Sequence, residues 1–290
     1  MSESRSHFRI GDIEVTVVSD GTLWLDGGAI FGLVPRVMWE PIAGPTDDHH
    51  RLPVGLNCLL VWAGGKTILV ETAVGIKQER LSGAAHSEAG GLLADLARHG
   101  VQSQDVDIVI NTHLHYDHCG WNTTYRDGKL VTTFPRAHYF VQKGEWEAAS
   151  HPNERTRGTY LSENLEPLAA SKQLELVEGE AEVAPGVRIV PAPGHTADHA
   201  VVELVSGGEM GLYLGELAHY PVMLERLAWI PSFDVLPLVS LETKKRLLER
   251  IIQRDALLFG VHLPYPGVGR IRLVEGKRRW EPLKQEEGHR

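Results

Sequence analysis

The sequence is poor in the residues that mark several common classes of protein. It has only 2 cysteines among 290 residues, Cys58 and Cys119, which is too few for a disulfide framework and is typical of free thiols in a reducing compartment. No stretch approaches the roughly 20 uninterrupted apolar residues of a membrane-spanning helix. Residues 1–10 lack the apolar core of an export signal. We therefore expect a soluble, cytoplasmic protein with no membrane partner.

Positive charge is also in short supply. The chain has 29 Lys and Arg against 38 Asp and Glu, a formal net charge of -9. Because a protein that binds a phosphate backbone needs a basic surface, this balance argues against nucleic acid as a partner. Hydrophobic residues make up 42% and charged residues 23% of the chain, which excludes a disordered or coiled-coil protein. We predict a single α/β (α+β) domain over residues 1–290, since one layered fold still closes at this length.

The hydrophobic pattern predicts short elements separated by turns that contain glycine. Ser240 is the predicted N-cap of a helix at 240–254, because a serine side chain can accept a hydrogen bond from a backbone N–H of the first helical turn. Residues 20–55 have no clear period and are predicted to form a long N-terminal loop or arm. The predicted elements are a hairpin or bulged strand at 8–18, hairpins at 57–70 and 200–214, strands at 107–111, 137–142, 187–191 and 255–261, and helices at 87–99 and 240–254.

Histidine is abundant, with 15 residues, and four metal-ligating side chains lie within six positions. They directly follow the predicted strand at 107–111. Two imidazoles at positions i and i+2 of an extended chain point the same way and can share one ion. Packing gives no reason to cluster titratable groups that each need a partner. A metal site is therefore predicted at the end of this strand, with the residues His113, His115, Asp117 and His118.

Three more candidate ligands follow later predicted strands. They are His195 in a Pro-Gly-His-Thr turn, Glu216 after Leu-Gly, and His262 after Gly-Val. The order H-x-H-x-D-H, then G-H, then an acidic residue, then histidine, resembles the metallo-β-lactamase superfamily of metal-dependent hydrolases. That resemblance implies a four-layer αβ/βα sandwich of two mixed sheets, with two metal ions at one edge.

The resemblance also implies how the ligands are shared. His113, His115 and His195 would bind the first ion, and Asp117, His118 and His262 the second. Glu216 stands where the family has a bridging aspartate, and we expect it to be a ligand, although an outer hydrogen-bonding role stays open. Imidazole and carboxylate ligands suit two divalent ions, zinc first, with manganese or iron as alternatives.

A second departure from the family lies in the segment Val-Glu-Thr-Ala, where the family commonly has V-D-T-G. Glu71 replaces the aspartate and Ala73 the glycine. We expect Glu71 to support the site rather than to bind metal. Since glutamate is one methylene longer than aspartate, Glu216 leaves it open whether the second ion is held.

The ligand set predicts hydrolysis by a metal-bridging hydroxide that attacks an ester-type carbonyl. Asp117 could pass the proton to the leaving group, and His219 or Tyr220 could donate to the developing oxyanion or contact the substrate. Residues 215–219 and 260–269 resemble the branch of N-acyl-homoserine lactonases and methyl parathion hydrolase-like enzymes. A lactone or ester of a small molecule is the expected substrate.

The apolar side chains of Phe31, Met38, Trp39 and Trp229 are expected to cover an acyl or aryl tail of that substrate. Exposed on the arm at 20–55, such side chains would also suit a homodimer contact. The alternatives within the superfamily are a β-lactamase, a glyoxalase II-like thioesterase and an iron persulfide dioxygenase. A degenerate, metal-poor binding paralogue is the alternative that is not an enzyme.

Overall fold

The computed structural model describes residues 6–77 and 85–283, and its strands form two large mixed sheets and one small hairpin. The strands are β1 (His7–Ile10), β2 (Ile13–Asp26), β3 (Arg51–Ala63), β4 (Lys66–Val70), β5 (Ala85–Glu88), β6 (Ile108–Ile110), β7 (Thr123–Arg126), β8 (Lys129–Thr132), β9 (His138–Gln142), β10 (Leu174–Val177), β11 (Ala181–Ala184), β12 (Val187–Pro191), β13 (Ala200–Ser206), β14 (Glu209–Tyr213), β15 (Leu257–Phe259), β16 (Val268–Val274) and β17 (Lys277–Pro282).

The first sheet has the order β1-β2-β3-β4-β6-β9-β10, with β5 paired to β2. Its first four strands are antiparallel, and β4, β6, β9 and β10 run parallel. The second sheet has the order β11-β12-β13-β14-β15-β16-β17, in which only β14 and β15 are parallel neighbours. Parallel neighbours need long connections, and helices lie within these.

Eight α-helices accompany the strands in the described residues. The longest, at Pro237–Gln253, joins the two parallel strands of the second sheet. None of the described helices is long and apolar enough to cross a membrane. The helices are α1 (Gly27–Phe31), α2 (Arg36–Ala43), α3 (Leu92–Arg98), α4 (Tyr116–Cys119), α5 (Lys143–Ser150), α6 (Glu166–Ala170), α7 (Val222–Glu225) and α8 (Pro237–Gln253).

Alternate positions along each strand enter different core layers, as the two-residue period of a strand requires. Leu59 on β3 belongs to the cluster of buried residues that joins the two sheets. The aromatic rings of Phe8 in the first sheet and Phe259 in the second meet there at 5.7 Å. Leu60, the next residue of β3, belongs instead to the cluster that includes Leu92 of α3. In the second sheet, Leu212 of β14 shares that cluster with Leu247 of α8, and the next residue, Tyr213, belongs to the cluster between the sheets. The layers are therefore helix, sheet, sheet and helix, which confirms the predicted four-layer sandwich.

The bounds predicted for the N-terminal arm, 20–55, are wrong. Strand β2 continues to Asp26 and β3 begins at Arg51, and the two pair along their whole length across a bulge between Ser19 and Thr22. Only 27–50 lie outside strands, and they contain α1 and α2. Tertiary pairing overrides the weak local pattern of a segment rich in glycine and proline.

Both predicted helices differ from the structure at their first residues. The helix predicted at 87–99 begins only at Leu92, because residues up to Glu88 form an edge strand on β2. The helix predicted from Ser240 begins at Pro237, and Ser240 is a buried residue inside it. Proline is favoured in a first helical turn, where its missing N–H costs nothing. The predicted end residues 1 and 290 lie outside the described residues, and the single domain stays a prediction.

Candidate metal centre

Four strands of the two sheets end at the same edge of the sandwich, and each leads into a segment with predicted ligands. Strand β6 leads into 111–119, β12 into 192–199, β14 into 214–217 and β15 into 260–262. Antiparallel pairing sets the end of β14 beside the start of β13, and parallel pairing sets the end of β15 beside it. The two sheets thus bring together side chains that are far apart in the sequence.

Two glycines allow these segments to pass close to their neighbours. Gly215 has φ +49, and a Cβ there would lie 2.5 Å from Nε2 of His199. Gly194 has φ +147, and a Cβ there would lie 2.4 Å from the Cα of Ser240. Both the backbone angle and the space require a residue without a side chain. The ligands next to them, Glu216 and His195, depend on these close approaches for their positions.

The first ligand set consists of His113, His115 and His195, which are all buried and whose candidate ligand atoms lie within 4.8 Å of one another. Nδ1 of His115 and Nε2 of His195 are 3.0 Å apart. Zinc–nitrogen bonds of about 2.0–2.1 Å in a tetrahedral site separate two nitrogens by about 3.3 Å. The three imidazoles therefore converge as ligands of one ion would.

The second set consists of Asp117, His118, Glu216 and His262, whose candidate ligand atoms also lie within 4.8 Å of one another. Oε1 of Glu216 lies 2.8 Å from Nε2 of His118 and 2.5 Å from Nε2 of His262. Oδ2 of Asp117 lies 3.7 Å from the first of these nitrogens and 3.5 Å from the second. The structure thus brings Glu216 among the second set.

In four of these imidazoles, the ring nitrogen Nδ1 that faces away from the ligand set contacts another polar group. Nδ1 of His195 lies 3.0 Å from Oδ1 of Asp234, and Nδ1 of His113 lies 3.1 Å from the hydroxyl of Thr112. Such outer partners fix the ring orientation and tautomer of a metal-binding histidine. The two other contacts are Nδ1 of His118 to Oε2 of Glu71 at 3.1 Å, and Nδ1 of His262 to the carbonyl of Gly55 at 2.8 Å.

Nε2 of His113 is buried and lacks a hydrogen-bond partner. Nε2 of His262 and Oε2 of Glu216 also make no hydrogen bond, although they lie at ion-pair distance from Oε1 of Glu216 (2.5 Å) and from Nε2 of His219 (2.9 Å). A buried polar atom without a partner costs about 1–3 kcal/mol. Nitrogen and oxygen atoms that converge without hydrogen bonds are instead matched by cations, and imidazole with carboxylate is a donor set that divalent zinc, manganese and iron accept. The residues present therefore fit two metal ions.

The electrostatics of the two sets differ. Burial lowers the pKa of His113 and His115, and the neighbouring imidazoles lower it further. Neutral imidazole is the form that binds metal. Burial would also lower the pKa of His118, but the carboxylates of Asp117 and Glu71 outweigh it and raise that pKa. The second set is thus the more strongly anionic surrounding for a cation.

Glu71 and His199 support the ligands from behind, as expected for Glu71. The Glu71 side chain is fully buried, and its Oε1 accepts a 2.6 Å hydrogen bond from the backbone N–H of Thr112. Nε2 of His199 accepts from the backbone N–H of Glu216, and burial lowers the pKa of His199 to about 4. Cys58 and Cys119 are buried free thiols.

A pocket opens above the two sets. Asp117 is the most exposed ligand of its set, with 12% of its side chain accessible. His219, a predicted catalytic residue, also lines this pocket, and its Nε2 lies 2.9 Å from Oε2 of Glu216. The pocket is lined by Leu25, His115, Tyr116, Asp117, Arg155, Thr156, Thr159, His195, Glu216, His219, Ser232, Phe233 and Val235.

Tyr220 and the predicted apolar cover are placed differently from the expectation. The Tyr220 hydroxyl donates to the backbone carbonyl of Pro53 at 3.0 Å, and burial raises its pKa to about 12. Phe31 is fully buried and stacks on Trp39, with ring centroids 5.0 Å apart. Trp229 packs edge-on against Phe31. Phe31, Trp39 and Trp229 pack on one another, because this contact removes more of their apolar surface from water than exposure along the pocket would.

Three residues of the site carry no signal in the sequence. Asp234 follows its partner His195 by 39 positions, Arg155 lies in a polar loop, and Glu145 lies on a short helix with another glutamate two positions later. Their roles come from tertiary neighbours, which periodicity does not reveal. Only the fold brings them to the ligand sets.

The sequence matches the model of a known family and several curated relatives. Residues 51–262 match the family described as the metallo-beta-lactamase superfamily. An N-acyl homoserine lactonase from a Bacillus species is 29% identical over 169 residues, which are 58% of this chain and 60% of the relative. A probable metallo-hydrolase of Mycobacterium tuberculosis is 25% identical over 239 residues, covering 70% of this chain and 71% of that protein. This chain thus spans about 60% of the length of the lactonase relative.

Solved structures agree with the fold. A probable metal-dependent hydrolase from Staphylococcus aureus superposes with a TM-score of 0.81 at 25% identity, over 91% of this chain and 94% of the other. AidC, a dizinc quorum-quenching lactonase, superposes with a TM-score of 0.82 at 22% identity, over 99% and 100% of the two chains. With the family match covering most of its length, the chain belongs to the metallo-beta-lactamase superfamily.

Proposed function

We propose that this protein is a metal-dependent hydrolase that opens a lactone or cleaves an ester of a small molecule with two divalent ions, zinc in the first place. The observation that carries this proposal is the pair of ligand sets side by side at the floor of one pocket. The similarity to N-acyl homoserine lactonases supports lactones as the substrate class. The converging ligands disfavour a degenerate, metal-poor paralogue.

Two divalent ions at this floor would lower the pKa of a bound water and polarise a carbonyl. Asp117 is the candidate to hold and pass a proton, and its position supports this role, because its carboxylate belongs to the second set and is the part of that set most open to the pocket. The proton that the attacking water gives up would pass to this carboxylate and from it to the leaving alkoxide. His219 is the second candidate, since its buried Nδ1 has no hydrogen-bond partner.

The pocket walls support a substrate that combines an apolar tail with polar groups near the reacting carbonyl. Leu25, Phe233 and Val235 provide apolar surface. Arg155 and Thr159 provide donors from another segment, and the Arg155 guanidinium donates to the carbonyl of Ser232, next to Phe233, at 3.0 Å. Such a wall suits an acyl chain with an amide or ester at its base.

A panel of substrates tests the proposal. Protein loaded with zinc or manganese is assayed with lactones that carry short and long acyl amides, aryl esters, a thioester and a β-lactam, before and after chelation. We expect metal-dependent opening of a lactone or ester, lost in His118→Ala and kept in Glu147→Gln, an exposed position on α5. The proposal is overturned if lactones and esters show no metal-dependent rate while the thioester or β-lactam does.

A further inference from the structure

One buried carboxylate outside the two ligand sets contacts the surroundings of all three histidines of the first set. Glu145 lies on α5 and its side chain is fully buried. Its Oε1 accepts from the backbone N–H of Leu114 at 3.0 Å and from the hydroxyl of Tyr160 at 2.9 Å. Its Oε2 accepts from the hydroxyl of Thr196 at 2.6 Å.

The partners of Glu145 are neighbours of ligands in each case. Leu114 lies between His113 and His115, so the hydrogen bond to its N–H fixes the backbone that separates the two. Thr196 directly follows His195. The ring of Tyr160 packs on His115, with centroids 4.9 Å apart. A single side chain thus joins the strand end at 113–115 to the turn at 195–196, which comes from the other sheet.

The surroundings of this carboxylate are apolar and tightly packed. Leu114 and Tyr160 belong to a small buried cluster with Val141 and Ala149, the latter on the same helix as Glu145. A Cβ at Gly144, the residue before Glu145, would lie 2.3 Å from Oδ2 of Asp198, so the helix start lies close to the segment after His195. Burial of a carboxylate among apolar side chains is costly unless hydrogen-bond donors satisfy its oxygens. Here both oxygens are used, and neither belongs to a ligand set.

We infer that Glu145 is a positioning residue for the first metal site, which holds His113, His115 and His195 at the separation that one ion requires. Glu71 has the corresponding place at the second site, where it contacts His118 and the N–H of Thr112. Each ion would then depend on its own buried glutamate. The inference rests on metal binding by the histidine set and does not depend on which substrate is hydrolysed.

The test measures affinity for zinc, one site at a time, with chelator-buffered titration and cobalt absorption spectra. In a His262→Ala background, which lacks a ligand of the second set, Glu145→Gln is expected to weaken the remaining ion by about 10–100-fold, as loss of an outer partner does. In a His195→Ala background, the same change is expected to leave the affinity of the remaining ion unchanged. Glu147→Gln is the matched control on the exposed side of the helix.

If Glu145→Gln folds poorly, two variants that each remove a single hydrogen bond of Glu145 provide the same test. Thr196→Val removes the 2.6 Å hydrogen bond alone, and Tyr160→Phe removes the other side-chain donor. Each is expected to weaken the first site by a smaller factor and to shift its cobalt spectrum, with unchanged circular dichroism. The inference is overturned if the three variants keep wild-type affinity and spectrum at the first site, or if both sites weaken equally. Absence of both lactone and ester hydrolysis in the wild type, with turnover of the thioester or the β-lactam, would refute the proposed function and leave this result standing.

Discussion

Replacement of Glu71 by glutamine tests whether the second site depends on its outer carboxylate. Glu71 is fully buried and accepts from the N–H of Thr112 at 2.6 Å, and its other oxygen lies 3.1 Å from Nδ1 of His118. Because Nε2 of His118 faces the ligand set, Nδ1 carries the proton and donates to Glu71. Glutamine keeps the size but offers one acceptor, so its amide NH₂ would face one of the two donors.

The expected magnitude follows from these contacts. A hydrogen bond to a charged group contributes about 1.5–3 kcal/mol. Loss of an outer partner of a metal-binding histidine lowers metal affinity by about 10–100-fold, which corresponds to about 1.4–2.7 kcal/mol. We therefore expect Glu71→Gln to weaken zinc at the second site by about 10–100-fold. The first site should lose less affinity, since Glu71 reaches its histidines only through the N–H of Thr112, the residue before His113, whereas it contacts the His118 ring directly.

The assay is a chelator-buffered zinc titration of the wild type, Glu71→Gln and the control Glu147→Gln. Circular dichroism checks that each variant is folded. Two separate dissociation constants are expected for the wild type. In Glu71→Gln the constant of the second site should rise most, and the same change in the His195→Ala background, where only the second set is intact, identifies that constant. Unchanged affinity at both sites in a folded Glu71→Gln protein would refute the reasoning, as would equal weakening of both.

Two further predictions follow from the site. Tyr220→Phe is expected to keep kcat within about twofold of the wild type and to lower the free energy of unfolding by about 0.5–1.5 kcal/mol, because the Tyr220 hydroxyl donates to the carbonyl of Pro53. Urea denaturation measures the stability. A large loss of kcat in a variant that is still folded would instead support the catalytic role first predicted for Tyr220. Removal of metal by a chelator is expected to lower Tm, since zinc at 100 times its Kd stabilises the folded state by about 2.7 kcal/mol; a Tm that is the same with and without zinc would contradict two bound ions.

Much of the site could be predicted because its ligands follow short apolar strands. The strand Ile108–Ile110 is buried on every residue and ends three positions before His113, so both the strand and the histidine cluster are visible in the sequence. The glycine turns at 194 and 215 mark the later ligands in the same way. The family resemblance then assigned the two sets, and the structure brings His195 to the first and His262 to the second.

The parts that sequence does not reveal depend on long-range packing. Residues 22–26 look irregular, yet they pair with 51–55 because β3 provides a continuous partner. Phe31 and Trp39 have the apolar side chains expected of a substrate cover, but they stack on each other instead. Glu145 and Asp234 have no local pattern at all, since their partners come from other segments. The homodimer stays a prediction.

The central claim, two ions held by two separate ligand sets, is tested most directly by elemental analysis of protein purified without chelators. We predict two divalent ions per chain in the wild type, one in His195→Ala and one in His262→Ala, with each variant still folded. No metal in the wild type, or two ions kept in both variants, would contradict the account.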